Sequence, residues 1–339
     1  MMLKEYLIKY PQSTIQDILK LLYQCEFGSN HMIEDQQYAY NYLKEECSQL
    51  TNHDYEIEDI GDEYIRFHLF NASEIQLKTI HQLFVLSCKE NTNMNDFLIK
   101  LKQLKHIYPN YKEDIDAYIN KDCPMLRHSE QYRQAYHPHY RIMKKKYFSY
   151  YPLLYKINET LYYKKDIIIG IDGMCGAGKS SLALLLQSLY DIQLFCMDDF
   201  FLQKHQRTKE RYETPGENID HERFLKEVLL PLKNKEDVNY RRFDCQSMSV
   251  EDIPEKKVYK PITVIEGTYC LHPLLRQYID YSVVLMCDKK TRLERLKNRN
   301  SEFMYNMFID KWIPLETLYF DYYHIADICD LLIKDHSCY

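Results

Sequence analysis

The sequence predicts a mainly α-helical domain at residues 1–163, followed by an α/β domain with a parallel sheet at residues 164–339. The length of 339 residues suits two domains that each bury a core. Apolar residues between 15 and 22 repeat with the spacing of an amphipathic helix. After residue 166, short apolar runs alternate with helical patterns, which is typical of a parallel α/β sheet.

Composition and charge narrow the classes of partner. Hydrophobic residues make up 45% of the chain and charged residues 28%, so a folded globular protein is expected rather than disorder or a fibre. The formal net charge is −6, without a long run of one sign. This balance argues against a general nucleic-acid binder held by phosphate contacts, and it favours a small-molecule partner. The sequence leaves homo-oligomerisation open.

No segment of the sequence has the pattern of a targeting or membrane-spanning element. The first residues lack an apolar core of signal-peptide length, and no later stretch approaches 18 uncharged apolar residues. We therefore expect a cytoplasmic protein with no membrane partner. The 11 cysteines include no C-x₂-C pair, so we interpret them as reduced packing residues.

The predicted α/β domain contains five apolar runs with the length and composition of buried strands. They are residues 167–171, 192–197, 262–265, 282–287 and 328–333. Ligands of open parallel sheets bind at the carboxyl ends of the strands. The segments that follow these runs are therefore the first places to search for a functional site.

The first run leads directly into a phosphate-binding motif, Gly173 to Ser180, followed by a helical pattern from Ser181. This is G-x-x-x-x-G-K-[ST] in the required strand–loop–helix context, and an ordinary glycine-rich turn is the alternative. Glycines let backbone N–H groups turn inward around phosphate oxygens, and the helix N-terminus favours the anion. The predicted nucleotide-binding residues are Gly173, Cys175, Gly176, Ala177, Gly178, Lys179, Ser180 and Ser181.

Chemical roles follow from the residue types of the motif. Lys179 can reach the β- and γ-phosphates, and the Ser180 hydroxyl can ligate Mg²⁺. We therefore expect ATP and Mg²⁺ as cofactors.

The second run ends in Asp198 and Asp199. Phosphoryl transfer to a hydroxyl needs a carboxylate to orient the nucleophile and take its proton, and either aspartate could do this. The alternative for such a pair is a helix cap or a solvated turn.

Several segments in the second half together resemble the uridine kinase/phosphoribulokinase/pantothenate kinase family of P-loop kinases. The resemblance covers residues 166–335, half of the chain, and its combination of motifs is more specific than any one of them. Besides the phosphate motif, the matching segments are 196–201, 218–221, 263–267, 286–296 and 325–333.

The resemblance implies a P-loop kinase fold and specific roles. Asp198 would be the catalytic base, Asp220 would bind acceptor hydroxyls, and Glu266 would hold Mg²⁺ directly or through water. Arg292, Arg295 and Arg299 are the candidates for neutralising phosphate charge, and Arg299 is included among the expected catalytic residues together with Asp198 and Lys179.

The segment 240–247 departs from the family pattern. Uridine kinases carry a Tyr-x-Phe segment followed by His and Arg that grip the pyrimidine, whereas here Tyr240 and Phe243 are present without that His and Arg. A site that loses such hydrogen-bond donors loses specificity for a base. Tyr240 and Arg242 are expected to contact the acceptor, and Arg242 suits an acceptor with its own charge or several hydroxyls.

The Trp312–Glu316 segment suggests only packing of the lone Trp.

The helical half offers two weaker candidates. His31, His128, His137 and His139 could line a second site or bind metal, or they could be polar residues satisfied at helix ends. The lysines at 144–146 lie beside tyrosines and could bind nucleic acid, or they could form a solvated helix face, which the acidic total favours.

The leading hypothesis is a Mg²⁺-ATP-dependent kinase that phosphorylates a hydroxyl of a small metabolite, with a nucleoside as the first choice. The alternatives are a kinase of a non-nucleoside alcohol (pantothenate-like, glycerate-like or sugar-like), an ATP-dependent regulatory or binding module without turnover, and a nucleic-acid-modifying protein.

Overall fold

The computed structural model describes residues 2–29, 35–61, 63–88 and 94–334. The chain forms two compact units, Met1–Tyr155 and Lys156–Cys338. None of the helices in the described ranges combines the length and the apolar character needed to cross a bilayer. The cysteines in these ranges are all free thiols.

The first unit is mainly helical. Its helices are α1 (Met2–Lys9), α2 (Ile15–Phe27), α3 (Gln36–Ser48), α4 (Glu74–Ser87), α5 (Met94–Ile107), α6 (Lys112–Ile119), α7 (Glu130–Tyr136) and α8 (Lys145–Phe148), and α9 (Tyr151–Tyr162) contains the division between the units. The helix predicted around residues 15–22 is α2, whose Ile18 and Leu19 are buried beside Phe97 and Leu101 of α5.

A small antiparallel sheet accompanies these helices and was not predicted. It has the order β1 (Ile57–Asp59), β2 (Tyr64–His68), β3 (Tyr140–Lys144). Four consecutive residues of β2 are buried, so the strand lacks the polar alternation that marks a half-exposed strand. Arg66 at its centre is fully buried, and a charged residue at a buried position makes the strand harder to predict from its sequence.

The Arg66 guanidinium is accommodated by a buried polar cluster. It donates to Gln24 Oε1 at 2.8 Å and pairs with Glu58 Oε2 at 3.3 Å. The Tyr140 ring lies 4.8 Å from it in a cation–π contact. A buried charge requires partners of this kind, because the loss of its hydration costs roughly several kcal/mol when no partner compensates for it.

The histidines of the first unit take structural partners. His128 Nδ1 lies 2.8 Å from Asp17 Oδ1, and His128 Nε2 lies 2.5 Å from the Tyr140 hydroxyl. His139 Nδ1 contacts Glu46 Oε1 at 2.8 Å, and His137 ends α7 in a left-handed conformation. His31 lies outside the described residues. Among those described, none of these histidines belongs to a group with metal-binding spacing.

The lysines at 144–146 have protein partners rather than an open basic face. Lys144 Nζ pairs with Glu63 at 3.2 Å, and Lys145 Nζ pairs with Asp59 at 2.7 Å. Lys146 Nζ lies 5.4 Å from the centroid of the Tyr147 ring. These contacts favour the interpretation as a helix and strand surface over a nucleic-acid site.

The second unit contains the predicted parallel sheet. Its strands are β4 (Ile167–Asp172), β5 (Gln193–Cys196), β6 (Val238–Tyr240), β7 (Phe243–Asp244), β8 (Ser249–Val250), β9 (Glu255–Lys257), β10 (Ile262–Glu266), β11 (Tyr281–Met286) and β12 (Leu331–Lys334). The main sheet has the order β12-β11-β4-β10-β5 with every pair parallel, and β6–β9 and β7–β8 form two short ribbons. The predicted parallel α/β fold is confirmed, and the last strand begins three residues later than expected.

Helices lie between these strands in the order expected of an α/β domain. They are α10 (Lys179–Leu189), α11 (Lys209–Glu213), α12 (His221–Phe224), α13 (Leu230–Lys233), α14 (Pro273–Arg276), α15 (Lys289–Arg299), α16 (Glu302–Met307) and α17 (Ile313–Tyr323). One core cluster contains Phe195 and Ile265 of the sheet, Met197 of the 3₁₀ turn after β5, and Tyr319 of α17.

Two of these helical segments contain a π-helical turn directly before a proline. Residues Leu225–Leu229 join α12 to α13 shortly before Pro231, and Phe308–Trp312 join α16 to α17 shortly before Pro314. Proline has no N–H to donate, and its ring clashes with the carbonyl four residues earlier. A widened turn relieves this clash and lets the helix continue.

Replacement of His128 by Asn is expected to reduce the pH dependence of stability. Burial lowers the pKa of His128 to about 4 from 6.5, against a smaller opposing effect of Asp17. Between these values the unfolded chain binds a proton that the folded chain does not, so the free energy of unfolding falls as pH decreases from 6.5 toward 4. The contribution is about 3 kcal/mol.

Denaturant unfolding at pH 7.5, 6 and 4.5 measures this effect. The decrease should be smaller in His128→Asn than in the original protein, whereas His137→Asn, at an exposed left-handed position, serves as the matched control. Equal slopes for all three proteins would contradict the assignment.

Candidate active site

Three neighbouring strands deliver the candidate functional residues to one edge of the sheet. β10 lies between β4 and β5, with Glu266 opposite Ile171 on one side and Cys196 on the other. The segment Gly173–Ser180, called the phosphate loop below, follows β4. Asp198 follows β5 in a single 3₁₀ turn. The carboxyl ends of these strands therefore bring the loop and two carboxylates together, as the sequence indicated.

The phosphate loop requires glycine at two points of close packing. Gly173 has φ +153°, and a Cβ there would lie 2.6 Å from the carbonyl oxygen of Leu285. Gly176 has φ +79°, and a Cβ there would lie 3.0 Å from the carbonyl oxygen of Arg292. Because both neighbours are backbone atoms, a side chain at either position would displace the loop.

Asp172 anchors the loop from below. Its completely buried carboxylate accepts hydrogen bonds from the Gly173 N–H at 2.7 Å, the Leu271 N–H at 3.1 Å and the Tyr319 hydroxyl at 2.9 Å. Burial raises its pKa to about 6, and these donors oppose that rise. The loop is thereby tied to the segment after β10 and to α17. The sequence analysis treated Asp172 only as the end of a strand.

Lys179 begins α10 and folds back over the loop. Its Nζ donates to the carbonyl of Gly173 at 2.6 Å and contacts the Thr268 hydroxyl at 3.2 Å. The side chain is largely buried but borders the cavity described below. A helix N-terminus with a lysine beside it forms an electropositive position suited to an anion.

Glu316 of α17 reaches the same loop and was not expected from the sequence. Its Oε2 accepts the Cys175 N–H at 2.9 Å, and its Oε1 lies 3.3 Å from the Thr268 hydroxyl. The Trp312–Glu316 segment therefore does more than pack a Trp, because it ends in a buried carboxylate that holds the loop backbone.

Ser180 and Glu266 are adjacent. The Ser180 hydroxyl donates to Glu266 Oε1 at 3.0 Å, and the same oxygen lies 3.3 Å from Cys196 Sγ. Burial raises the pKa of Glu266, partly offset by the contact with Cys196 and by the charge of Lys179. A hydroxyl and a carboxylate oxygen at this spacing are the hard donors that Mg²⁺ prefers, so these two residues fit a magnesium site.

The two aspartates after β5 have different surroundings. Asp199 is buried and accepts hydrogen bonds from Tyr240 Oη at 3.1 Å and Arg242 Nε at 3.0 Å. Asp198 borders the cavity, and no side chain in the described part of the chain pairs with its carboxylate. Asp198 is exposed to solvent at the cavity wall; partial desolvation there and the charge of Asp199 raise its pKa, whereas the charges of Lys179 and Arg299 lower it. The pair is therefore divided into one engaged and one available carboxylate.

The three candidate arginines of α15 also separate. Arg292 NH1 lies 3.4 Å from the Cys175 carbonyl, and Arg295 NH1 donates to the Gly176 carbonyl at 3.1 Å. Both thus support the outer face of the phosphate loop. Arg299, at the end of α15, is exposed and borders the cavity near Asp198.

Three expected acceptor-binding residues lie elsewhere. Asp220 is buried as the N-cap of α12, where it accepts the Arg223 N–H at 3.1 Å. Tyr240 is buried and Arg242 pairs with Asp199, and none of the three borders the cavity. A capping position and a buried carboxylate compete for these side chains more strongly than an open cavity does. Asn218 and Ile219, just before Asp220, border the cavity instead.

The cavity has a volume of about 690 Å³. Among the predicted nucleotide-binding residues, those at its wall are Cys175, Gly176, Gly178, Lys179, Ser180 and Ser181. Gly173 and Ala177 are buried and do not border the cavity. Other residues of the cavity wall were not predicted from the sequence, among them Phe201, Arg207, Tyr212, Phe243, Lys311 and Trp312. These residues come from separate segments, and no motif connects them.

A second cluster, Glu217, His221 and His272, has ligand atoms within 4.8 Å of one another. The two imidazole rings are stacked at 4.4 Å with only 16° between their planes, so their in-plane lone pairs do not converge. His272 Nδ1 also accepts the Leu274 N–H at 3.3 Å as the N-cap of α14. These contacts indicate a structural role.

Comparisons with known proteins give a family match to part of the chain. A family model described as an AAA domain matches residues 169–305. A comparison with curated proteins finds no match. The chain also resembles several solved structures, three of which match half of its length or slightly less.

A possible uridine kinase from Bacillus stearothermophilus is 19% identical with a TM-score of 0.39, covering 50% of this chain and 89% of that one. A putative fructose transport system kinase from Silicibacter is 21% identical with a TM-score of 0.39, at the same coverage of 50% and 89%. D-glycerate 3-kinase from Cryptococcus neoformans is 13% identical with a TM-score of 0.36, covering 46% of this chain and 80% of that one.

Substitution of Gly173 by Ala should destabilise the second unit more than substitution of Gly178 by Ala. The Gly173 Cβ would collide with a backbone oxygen, whereas a Cβ at Gly178 meets no atom within 4 Å. Gly178→Ala then carries only the strain of φ +100°, about 1–2 kcal/mol. Thermal unfolding of the two variants provides the comparison, and equal melting temperatures would contradict the close packing at Gly173.

Proposed function

We propose that the protein is a kinase that transfers the γ-phosphoryl group of Mg²⁺-ATP to a hydroxyl of a small metabolite. The observation that carries this proposal is the wall of one cavity, where the phosphate loop, the Ser180–Glu266 pair and the unpaired carboxylate of Asp198 lie together. Nucleotide binding without transfer would need only the phosphate loop. A carboxylate held free beside it is what transfer to an alcohol requires.

The chain's own groups supply binding and orientation of the triphosphate. Backbone N–H groups of the phosphate loop and the N-terminus of α10 would bind the phosphates. Lys179, which donates to the loop carbonyl of Gly173, would exchange that contact for the β- and γ-phosphate oxygens. Ser180 and Glu266 would hold Mg²⁺. Bound Mg²⁺ neutralises charge on the phosphate oxygens.

Asp198 is the proposed base. It would accept a hydrogen bond from the acceptor hydroxyl, orient that oxygen toward the γ-phosphorus and take up its proton during transfer. Asp199 is a poorer candidate because Tyr240 and Arg242 already occupy both of its oxygens. Arg299, which borders the cavity, would neutralise charge that develops on the transferred group.

The residues that were expected to contact the acceptor do not identify its chemical class. The resemblance favours a nucleoside. Tyr240 and Arg242, which the sequence predicts as contacts of the acceptor, are both engaged by Asp199. Asn218 and the aromatic wall remain available to a nucleoside, and a non-nucleoside alcohol would use the cations of the same wall. ADP release measured across uridine, cytidine, pantothenate, D-glycerate and pentoses, with ATP and GTP as donors, separates these acceptors.

Lys179→Ala is expected to abolish turnover because the triphosphate loses its main side-chain contact. Calorimetric titration with a non-hydrolysable ATP analogue should show at least a tenfold weaker affinity, which corresponds to about 1.4 kcal/mol. Lys204→Ala, which removes an exposed lysine outside the cavity wall, is the matched control. Unchanged ATP affinity in Lys179→Ala would remove the loop from nucleotide binding.

Asp198→Asn is expected to retain ATP affinity and lose transfer. Removal of a general base typically lowers kcat by about 10²–10⁴-fold, while the loop contacts stay intact. Single-turnover measurement with the best acceptor reports the chemical step, and Asp199→Asn provides the comparison at the neighbouring position. Full activity in Asp198→Asn would reject this residue as the base. ATP binding without acceptor-stimulated turnover in the unaltered protein would favour a regulatory module.

A further inference from the structure

Two cations at the cavity wall have no role in the phosphate chemistry proposed above. Arg207 and Lys311 both border the cavity, and neither belongs to the phosphate loop or to α15. Both are partly buried rather than fully solvated. Within the described residues neither forms an ion pair with a carboxylate, although Asp198, Glu266 and Glu316 border the same cavity.

Arg207 is fixed by its backbone contact and keeps its two terminal nitrogens available. Its Nε donates to the Leu202 carbonyl at 2.9 Å, and its guanidinium carbon lies 5.8 Å from the centroid of the Phe243 ring. One hydrogen bond and one ring contact thus orient the group without neutralising it. A guanidinium held in this way presents a planar pair of donors, which matches the oxygens of a carboxylate or phosphate.

Among the described residues, the contacts of the Lys311 ammonium group are with aromatic rings. Its Nζ lies 4.4 Å from the centroid of the Tyr212 ring and 4.9 Å from that of Trp312. Cation–π contacts stabilise an ammonium group but do not satisfy its three N–H donors. The π-helical turn Phe308–Trp312 places Lys311 and Trp312 together at the cavity.

One aromatic side chain, Phe201, connects the two rings that carry these cations, and it borders the same cavity as the proposed base. Phe201, three residues after Asp198, has its ring 6.0 Å from Phe243 and 6.0 Å from Trp312 by centroid distance. Phe243 carries Arg207 on its face, and Trp312 carries Lys311. The acceptor side of the cavity therefore combines the base, an aromatic wall and two positive groups.

We infer that the acceptor is an alcohol that carries its own anionic group, a carboxylate or a phosphate, bound by Arg207 and Lys311 while its hydroxyl faces Asp198. This inference rests on the proposed kinase function and names the substrate class of that site. Desolvating two unpaired cations against a neutral acceptor would be unfavourable, whereas an anion compensates for the lost hydration. The aromatic wall between them suits the apolar part of such a molecule.

Matched pairs of alcohols test the charge requirement. Each pair differs in the anionic group: D-glycerate against glycerol, pantothenate against panthenol, and ribose 5-phosphate against ribose, with uridine as a neutral nucleoside. ADP release by the full-length protein with Mg²⁺-ATP should give at least a tenfold higher kcat/KM for the anionic member of the pair that is used. The pair that responds distinguishes a carboxylate from a phosphate. Preference for a neutral member or for uridine would overturn the inference.

Variants locate the charge recognition. In Arg207→Gln and Lys311→Gln the KM for the anionic acceptor should rise by about 10- to 100-fold, as expected for loss of a charged hydrogen bond, while the KM for ATP changes little. Lys209→Gln removes an exposed cation near Arg207 and should leave both constants unchanged. An unchanged acceptor KM in both cavity variants would overturn the assignment of these residues.

An equilibrium measurement separates failure of the inference from failure of the proposed function. Pantothenate, D-glycerate and ribose 5-phosphate are titrated calorimetrically into the protein with Mg²⁺ and a non-hydrolysable ATP analogue. Binding of one anion that weakens in Arg207→Gln and Lys311→Gln, without ADP release from ATP, would support the anion site and reject the kinase. Absence of binding by all three anions would overturn the inference, even if a neutral alcohol is phosphorylated.

Discussion

The candidate site depends on one buried charge, the carboxylate of Asp172. It lies beneath the phosphate loop without solvent contact, and donors from Gly173, Leu271 and Tyr319 satisfy it. These donors belong to the loop, to the segment after β10 and to α17, so a single group fixes three parts of the chain relative to one another. Each hydrogen bond to a buried charged group contributes about 1.5–3 kcal/mol, so the three donors together strongly determine this arrangement.

The features that sequence reasoning identified are those determined locally. The motif at 173–180, the carboxylates after β5 and the carboxylate that ends β10 are fixed by the ends of apolar runs, because a strand end defines where the next residue lies. The sequence does not show which way Asp220 and Arg242 point. Asp220 caps α12 instead of entering the cavity, and Arg242 binds Asp199, which is distant in sequence. Such competition leaves no periodic signal. The same holds for β2, where buried Arg66 conceals a strand that is covered on both faces.

The helical segment from α16 to α17 relates the two sides of the cavity. Lys311 and Trp312 contact each other at the cavity wall. Glu316, one turn later, accepts a hydrogen bond from the Cys175 N–H of the phosphate loop. Neighbouring turns of one helix thus contact the proposed acceptor region and the proposed nucleotide region. A displacement of this segment would alter both together, which is how a single element can link the occupancy of two adjoining sites.

The π-helical turn at 308–312 has an evolutionary consequence. Each residue of a helix rotates the chain by about 100°, so an insertion or deletion there would turn either Lys311 or Glu316 away from its contacts. Substitutions within the turn alter single side chains, whereas a change of length alters the phase of everything beyond it. Across homologous chains, selection should therefore preserve the spacing between these two residues more strictly than the identity of those separating them.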